Sequence, residues 1–195
     1  MRFSVNQEQQ TFAVQHGLFR LERVPYSFAD YFFLRYPEFQ DKPPFLRAGR
    51  EPYDHPTLYV MPFTETYSSL LWCSSWILLG AVIGLAMLLR PGRSNGVDRT
   101  IAGILFLQIV VILTFMGLAQ RYLAEFYPFL TFAFLFFLQS GRIAFQLRYL
   151  LIALVAVSVV INSLTTVSWL LEADMNVPDE TKATWNEFLG RTPQD

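Results

Sequence analysis

"LAQRYLAEFYPFLTFAFLFF" occupies residues 118–137. An arginine, two tyrosines, a glutamate and a proline separate the end of one apolar run from the start of the next. Spaced four apart, Arg121 and Glu125 share one face of a helix. An arginine at a membrane boundary extends its charge to water along its alkyl stem, and tyrosines belong to the aromatic belt there. Pro128 falls near the first turn of the second run, or kinks it. The stretch therefore reads as a tight turn at the outer face of a bilayer. Arg121 also suits a second role. If it faces a cavity, its rigid fork of donors fits an anionic group such as a lipid-linked phosphate.

The distribution of charge supports a bilayer as solvent. The chain has 195 residues, of which 53% are hydrophobic and 16% charged, against about a quarter charged in soluble domains. Between residues 67 and 171 the only acids are Asp98 and Glu125. The bases there are Arg90, Arg93, Arg99, Arg121, Arg142 and Arg148. A charge at the bilayer centre costs roughly 2.5–3.5 kcal/mol even on insertion scales, so depletion over a hundred residues marks membrane-spanning chain.

Four apolar segments follow, over residues 68–89, 101–119, 122–139 and 149–171. Each is long enough to cross about 30 Å of hydrocarbon as a helix, the third only if it begins near Tyr122; the alternative for the third is a short buried or re-entrant helix. The expected fold is an all-α membrane protein with a four-helix transmembrane domain over 67–171. Residues 1–66 form an extracytoplasmic or interfacial segment, and 172–195 an acidic tail. The links rich in arginine, around Arg90–Arg99 and Arg142–Arg148, belong in the cytoplasm. Both termini then face outward. Residues 1–66 contain no secretory signal, so either the first span carries them across or upstream transmembrane segments precede Met1.

The N-terminal segment is rich in aromatics. From Phe19 to Tyr36 they recur at near-helical spacing, and Phe28, Tyr31, Phe32 and Tyr36 fit one helix face. Such a helix lies in the membrane interface or packs against partner segments. Proline-punctuated extended chain follows.

Other candidates are few. Gly80 and Gly84 in "GAVIG" form a small-xxx-small pattern that permits close helix packing. Gln108 and Asn162, with Thr114, Ser158, Thr165 and Thr166, are polar groups in apolar runs and suit interhelical hydrogen bonds. Glu51, Asp54 and His55 cluster in a proline-rich loop without the paired group that acid–base chemistry needs. Cys73 reads as a small buried side chain. His16 and His55 stand far apart, with no second ligand at metal spacing, so no metal site is expected. No nucleotide-binding glycine loop or nucleophile elbow occurs, and no cofactor is expected. A net charge of −1 gives no basic footprint for nucleic acid.

"QRYLAEFYPFLTFAFLFFL" (120–138) resembles the Arg-Tyr…Pro-Leu segment that opens a late transmembrane helix in bacterial polytopic proteins, among them GT-C class, mannosyltransferase-like glycosyltransferases and their uncharacterised relatives. "LFRLERVPYSFADYFFLRYPEFQDKPPFLR" (18–47) is similar to the extracytoplasmic stretch before the last helices of those relatives. The resemblance implies the C-terminal, non-catalytic portion of a transferase using a polyprenyl-phosphate-linked sugar, in a bacterial inner membrane. The catalytic acid of that class lies in a first outer loop that these residues do not include. Arg121 is then a phosphate contact, positioned by Tyr122 and Glu125. The alternative is a non-catalytic subunit of a membrane complex. A transporter fits less well, because no span carries a charge near its centre.

Overall fold

The computed structural model describes residues 7–49, 67–115, 118, 120–139, 145–172 and 177–190. Glu51, Asp54 and His55 lie outside these residues, as does the side chain of Arg121. The fold is mostly helical. The N-terminal head contains α1 (Gln7–His16), a 3-10 turn (Leu21–Arg23), α2 (Val24–Ala29) and a π-helical turn (Asp30–Leu34). A short antiparallel hairpin, β1 (Glu38–Phe39) with β2 (Leu46–Arg47), closes the head. Its two strands are clamped by Arg47 on Glu38 at 2.5 Å. The helical domain follows with α3 (Leu70–Cys73), α4 (Ser75–Leu89), α5 (Gly96–Leu113), α6 (Gln120–Ala124), α7 (Tyr127–Gln139) and α8 (Phe145–Glu172). Helix α9 (Asp179–Phe188) ends the described chain.

Three helical stretches are long and apolar enough to cross a membrane: Gly96–Leu113, Tyr122–Gln139 and Phe145–Leu171. The first apolar segment is not one helix. It breaks at Ser74 (φ −148°, ψ 37°), leaving α4 with 15 residues. At 1.5 Å per residue α4 covers about 22 Å, less than the roughly 30 Å of a hydrocarbon core. No proline or glycine sits at the break. The local sequence is instead dense in serines (Ser68, Ser69, Ser74, Ser75), whose hydroxyls compete with helical backbone bonding.

The second segment begins earlier than hydropathy alone places it. Asn95 caps α5, accepting from the Asp98 amide at 2.8 Å while the Asp98 carboxylate accepts from the Asn95 amide at 3.2 Å. This reciprocal box satisfies two of the amides a helix start leaves free. It also gives Asp98 a local task among the arginines. Helix α5 stops at Leu113, six residues short of the expected end, and the carbonyl of its C-cap, Thr114, accepts from the Arg20 amide of the head. The third segment is interrupted by a turn at Glu125–Phe126.

Side-chain pairs fix the register. Tyr127 meets Ser74 at 2.5 Å, and Phe134 lies over Gly80, so α4 and α7 run parallel. Phe106 packs on Phe129 with centroids 5.7 Å apart, and Gln108 reaches Glu125, so α5 is antiparallel to α7. Ser75 faces Ser158 at 3.3 Å and the Asn162 amide donates to the Cys73 carbonyl at 2.8 Å, so α8 is antiparallel to α4. One end of the bundle therefore gathers α3, the close of α5, α6 and the close of α8. The other end carries Arg90, Arg93, Arg99 and Arg148.

The buried core joins the head to the bundle. Ile77, Ala81 and Leu88 of α4 meet Ile109 and Leu113 of α5 and Phe129, Leu130 and Ala133 of α7. The closest approach is at the α4 glycines. A Cβ on Gly80 would overlap the Phe134 ring, which can swing aside. A Cβ on Gly84 would overlap the Ala133 carbonyl, which cannot. Gly103 of α5 has open space instead.

The two glycines of this contrast give a test. Gly84→Ala should lower stability by about 1–3 kcal/mol or more through overpacking. Gly103→Ala should raise it by roughly 0.5–1 kcal/mol through reduced chain entropy. Thermal unfolding of the two variants in detergent reads both; a Gly84→Ala protein as stable as wild type would remove α4–α7 backbone contact from the fold.

Candidate functional site

The residues that join the head to the bundle form the most elaborate polar arrangement among those described. Helix α1 ends where Gly17 takes φ +73° and its amide returns to the Ala13 carbonyl at 2.9 Å. That left-handed residue is a common helix stop. The chain then runs past the end of α5. Phe19 pairs with Phe115 in a single bridge, their rings 5.6 Å apart, and the Arg20 amide donates to the Thr114 carbonyl at 2.9 Å.

Arg23 completes the joint. It is fully buried. Its Nη1 donates to the carbonyls of Leu18 at 2.8 Å and Thr114 at 3.2 Å, and its Nη2 to those of Gly17 at 2.9 Å and His16 at 3.4 Å. Carbonyls at helix C-termini carry the negative end of the helix dipole and lack intrahelical donors. One guanidinium thus serves the ends of α1 and α5 together.

A second cluster lies one turn further on. Asp30 and Arg35 are five apart, and the π-helical turn between them brings them onto one side, since its bonding repeats at i to i+5. The Arg35 Nε donates to both Asp30 oxygens, at 3.0 and 2.8 Å. The Tyr67 hydroxyl also donates to Asp30, and the Arg35 guanidinium lies over the Tyr67 ring at 4.5 Å. Tyr31 stacks on Tyr67 at 5.2 Å and meets Phe126 edge-on at 5.2 Å. Both members of the ion pair are buried. Burial pushes the Asp30 carboxyl above its usual range, with Arg35 and Tyr67 pulling it partly back. Burial, then the Asp30 charge, push the Tyr67 phenol well above the usual value.

The π-helical turn also redistributes the aromatic face expected of the head. Tyr31 and Phe32 are buried, whereas Phe28 is 43% and Tyr36 62% exposed. Phe28 keeps its stack on Phe32 at 4.5 Å. Tyr36 falls beyond the last helical residue, Leu34, and so leaves the face. Tyr31 and Phe32 are buried within this chain, against Phe126.

The sequence-derived candidates divide among several places. Arg121 and Tyr122 lie in α6 at the head end of the bundle. Tyr122 sets its ring edge-on to Phe115 at 5.5 Å. Glu125 is exposed in the turn after α6 and accepts from the Gln108 side-chain amide. Asn162 donates to the carbonyl that the α3–α4 break sets free. Gly80 and Gly84 lie against α7. Sequence reasoning passed over Arg23, Asp30, Arg35 and Tyr67. The one available signal was Asp30 itself, the single acid in the aromatic stretch 23–37, five residues before an arginine.

The described residues include no pairing of a nucleophile with a base. The chemistry they display is donation from buried guanidinium groups. Removing one partner of a buried ion pair leaves an uncompensated charge, at about 3–5 kcal/mol. Asp30→Ala should therefore cost roughly that much. The double variant Asp30→Ala/Arg35→Met should be clearly more stable than the single one in chemical denaturation. A double variant as unstable as Asp30→Ala would mean that packing, not charge compensation, sets the cost. Arg23→Met should abolish hydrogen-exchange protection at the Arg20 amide while amides in the middle of α8 keep theirs; retained protection at Arg20 would show that the joint holds without its cation.

Comparisons with protein-family models, with curated proteins and with solved structures gave no match.

Proposed function

We propose that the chain crosses a bacterial cell membrane four times and forms the C-terminal, non-catalytic portion of a GT-C-like glycosyltransferase that uses a polyprenyl-phosphate sugar donor. The transferase part rests on the sequence resemblance; the observation that supports the topology is the segregation of the bundle's two ends. The head, α6 with Arg121 and the close of α8 gather at one end, and the arginines of the opposite links at the other. The positive-inside rule then turns the head outward, along with both termini. In this reading α3 and α4 together make the fourth crossing. Leu70 to Leu89 would span about 30 Å if continuous, and the Asn162 bond to the Cys73 carbonyl satisfies the backbone where they part. Arg121 contacts the lipid phosphate from α6, with Tyr122 and Glu125 beside it.

A subunit of a membrane complex is the second reading. It is favoured by α8, whose Leu150, Ile152, Val155, Val157, Val159 and Val160 are exposed and would suit either lipid or neighbouring helices. The glycine face of α4 does not add to it, because α7 already occupies that face.

Two measurements test the proposal. In a Cys73→Ser background, single cysteines at Gln15 and Thr181 should react with an impermeant maleimide in intact cells, and one at Arg93 should not. The reverse pattern sinks the outward head. In membranes containing the intact protein, Arg121→Gln should lower sugar transfer from a polyprenyl-phosphate donor at least about tenfold, the worth of one charge-assisted hydrogen bond. Unchanged transfer at normal expression would remove Arg121 from the phosphate.

A further inference from the structure

Arg35 uses only one of its three nitrogens. Nε serves Asp30, but Nη1 and Nη2 are buried and have no hydrogen-bond partner. The side chain is 2% exposed. Three serine hydroxyls share that condition: Ser68, Ser69 and Ser168. The first two are adjacent to Arg35. The Ser69 amide donates to the Arg35 carbonyl at 2.7 Å, and the Tyr67 ring under the guanidinium immediately precedes Ser68. Ser168 comes to the same level by register. Helix α8 runs antiparallel to α3–α4, with Ser158 at Ser75 and Asn162 at Cys73. Continuing along α8 carries Ser168, buried on the inward stripe with Ile161 and Thr165, toward Ser69.

Buried polar groups in folded proteins are almost always paired, and an orphaned one costs about 1–3 kcal/mol, more when charged. These orphans lie in neighbouring segments, Arg35 beside the chain at Ser68–Ser69 and Ser168 on the stretch of α8 that runs past it, and the nitrogen ones only donate. The ligand they call for is an acceptor. A guanidinium edge presents two parallel N–H groups, the geometry that grips two oxygens of one phosphate. Asp30 already neutralises the single charge of Arg35, so the donors act as hydrogen-bond donors without net charge and the less charged phosphate, a monoanion, suits the site better than a dianion. We infer that Arg35, Ser68, Ser69 and Ser168 form an oxyanion site between the head and the close of α8, for the phosphate of a phosphodiester lipid headgroup or for dihydrogen phosphate. The site is distinct from Arg121 and does not depend on the transferase reading.

The test uses the full chain, delipidated in dodecyl maltoside, with its melting temperature followed during titration. The two probes are inorganic phosphate near pH 6 and phosphatidylglycerol in mixed micelles, each against a phosphorus-free glycolipid control. A rise with phosphatidylglycerol alone assigns a lipid headgroup; a rise with inorganic phosphate assigns the free anion. Ser168→Ala should weaken the half-effect concentration about tenfold, the equivalent of one hydrogen bond to a charged group. Arg35→Lys, which keeps the charge and loses the fork, should remove the shift. Should Arg35→Lys fail to fold, Ser168→Ala decides alone. Arg121→Gln should bind as wild type. No shift with either probe, or an unaltered half-effect concentration in Ser168→Ala, overturns the site. A shift lost in Arg121→Gln but kept in Ser168→Ala places the anion elsewhere and overturns it equally.

Discussion

A carbonyl oxygen at the end of a helix must find a donor, and where it is buried water does not supply it. The head end of this protein is organised by that constraint. Arg23 answers it for α1 and α5 with one guanidinium. Asn162 answers it where α3 and α4 part, and the Arg20 amide answers it again at Thr114. Each donor comes from a different segment of chain from its acceptor. The joints between segments and the satisfaction of their ends are thus the same bonds. A helix that stops inside the apolar domain is tolerated here because another element has been brought to its end.

The two arginines of the head contrast instructively. Arg23 is buried against neutral carbonyls, whose dipoles spread compensation over several weak acceptors. Arg35 is buried against a full carboxylate on one side only. A buried ion pair of this kind adds little net stability compared with well-packed apolar groups, but it is costly to break in half. Asp30, Arg35 and Tyr67 meet in one arrangement, beside the point where the chain enters the bundle at Ser69.

Much of the helical domain was legible in the sequence because its signal is compositional. Charge depletion and apolar length survive without any knowledge of contacts, and they located Tyr122–Gln139 and Phe145–Leu171 within about four residues and Gly96–Leu113 within about six. What they missed is local or distant in kind. The Ser74 break carries no proline or glycine, and hydroxyl competition is a weak signal within an apolar run. The start of α5 was encoded in Asn95 and Asp98, a capping pair that hydropathy ignores. The head's aromatic face was read at an α-helical period, and the π-helical turn at Asp30–Leu34 shifts that period by a residue. Arg23 was out of reach altogether, since its partner Thr114 is 91 residues away. Of the candidate residues, Asn162 and Gln108 announced themselves as polar groups in apolar runs. The partners they found, the Cys73 carbonyl and Glu125, depend on breaks that the pattern did not show.

Helix lengths carry one more consequence. The apolar stretch of α8, Phe145–Leu171, has 27 residues and extends about 40 Å, whereas α4 extends about 22 Å. Against roughly 30 Å of hydrocarbon, the first is too long and the second, without α3, too short. A long helix tilts or thickens the lipid around it, and a short one thins it. These two pack side by side, so wherever α4 met lipid without α3 its mismatch would be opposite in sign to that of its neighbour. The surrounding leaflet would slope from α8 down to α4, and neighbours of different hydrophobic length would sort to different sides.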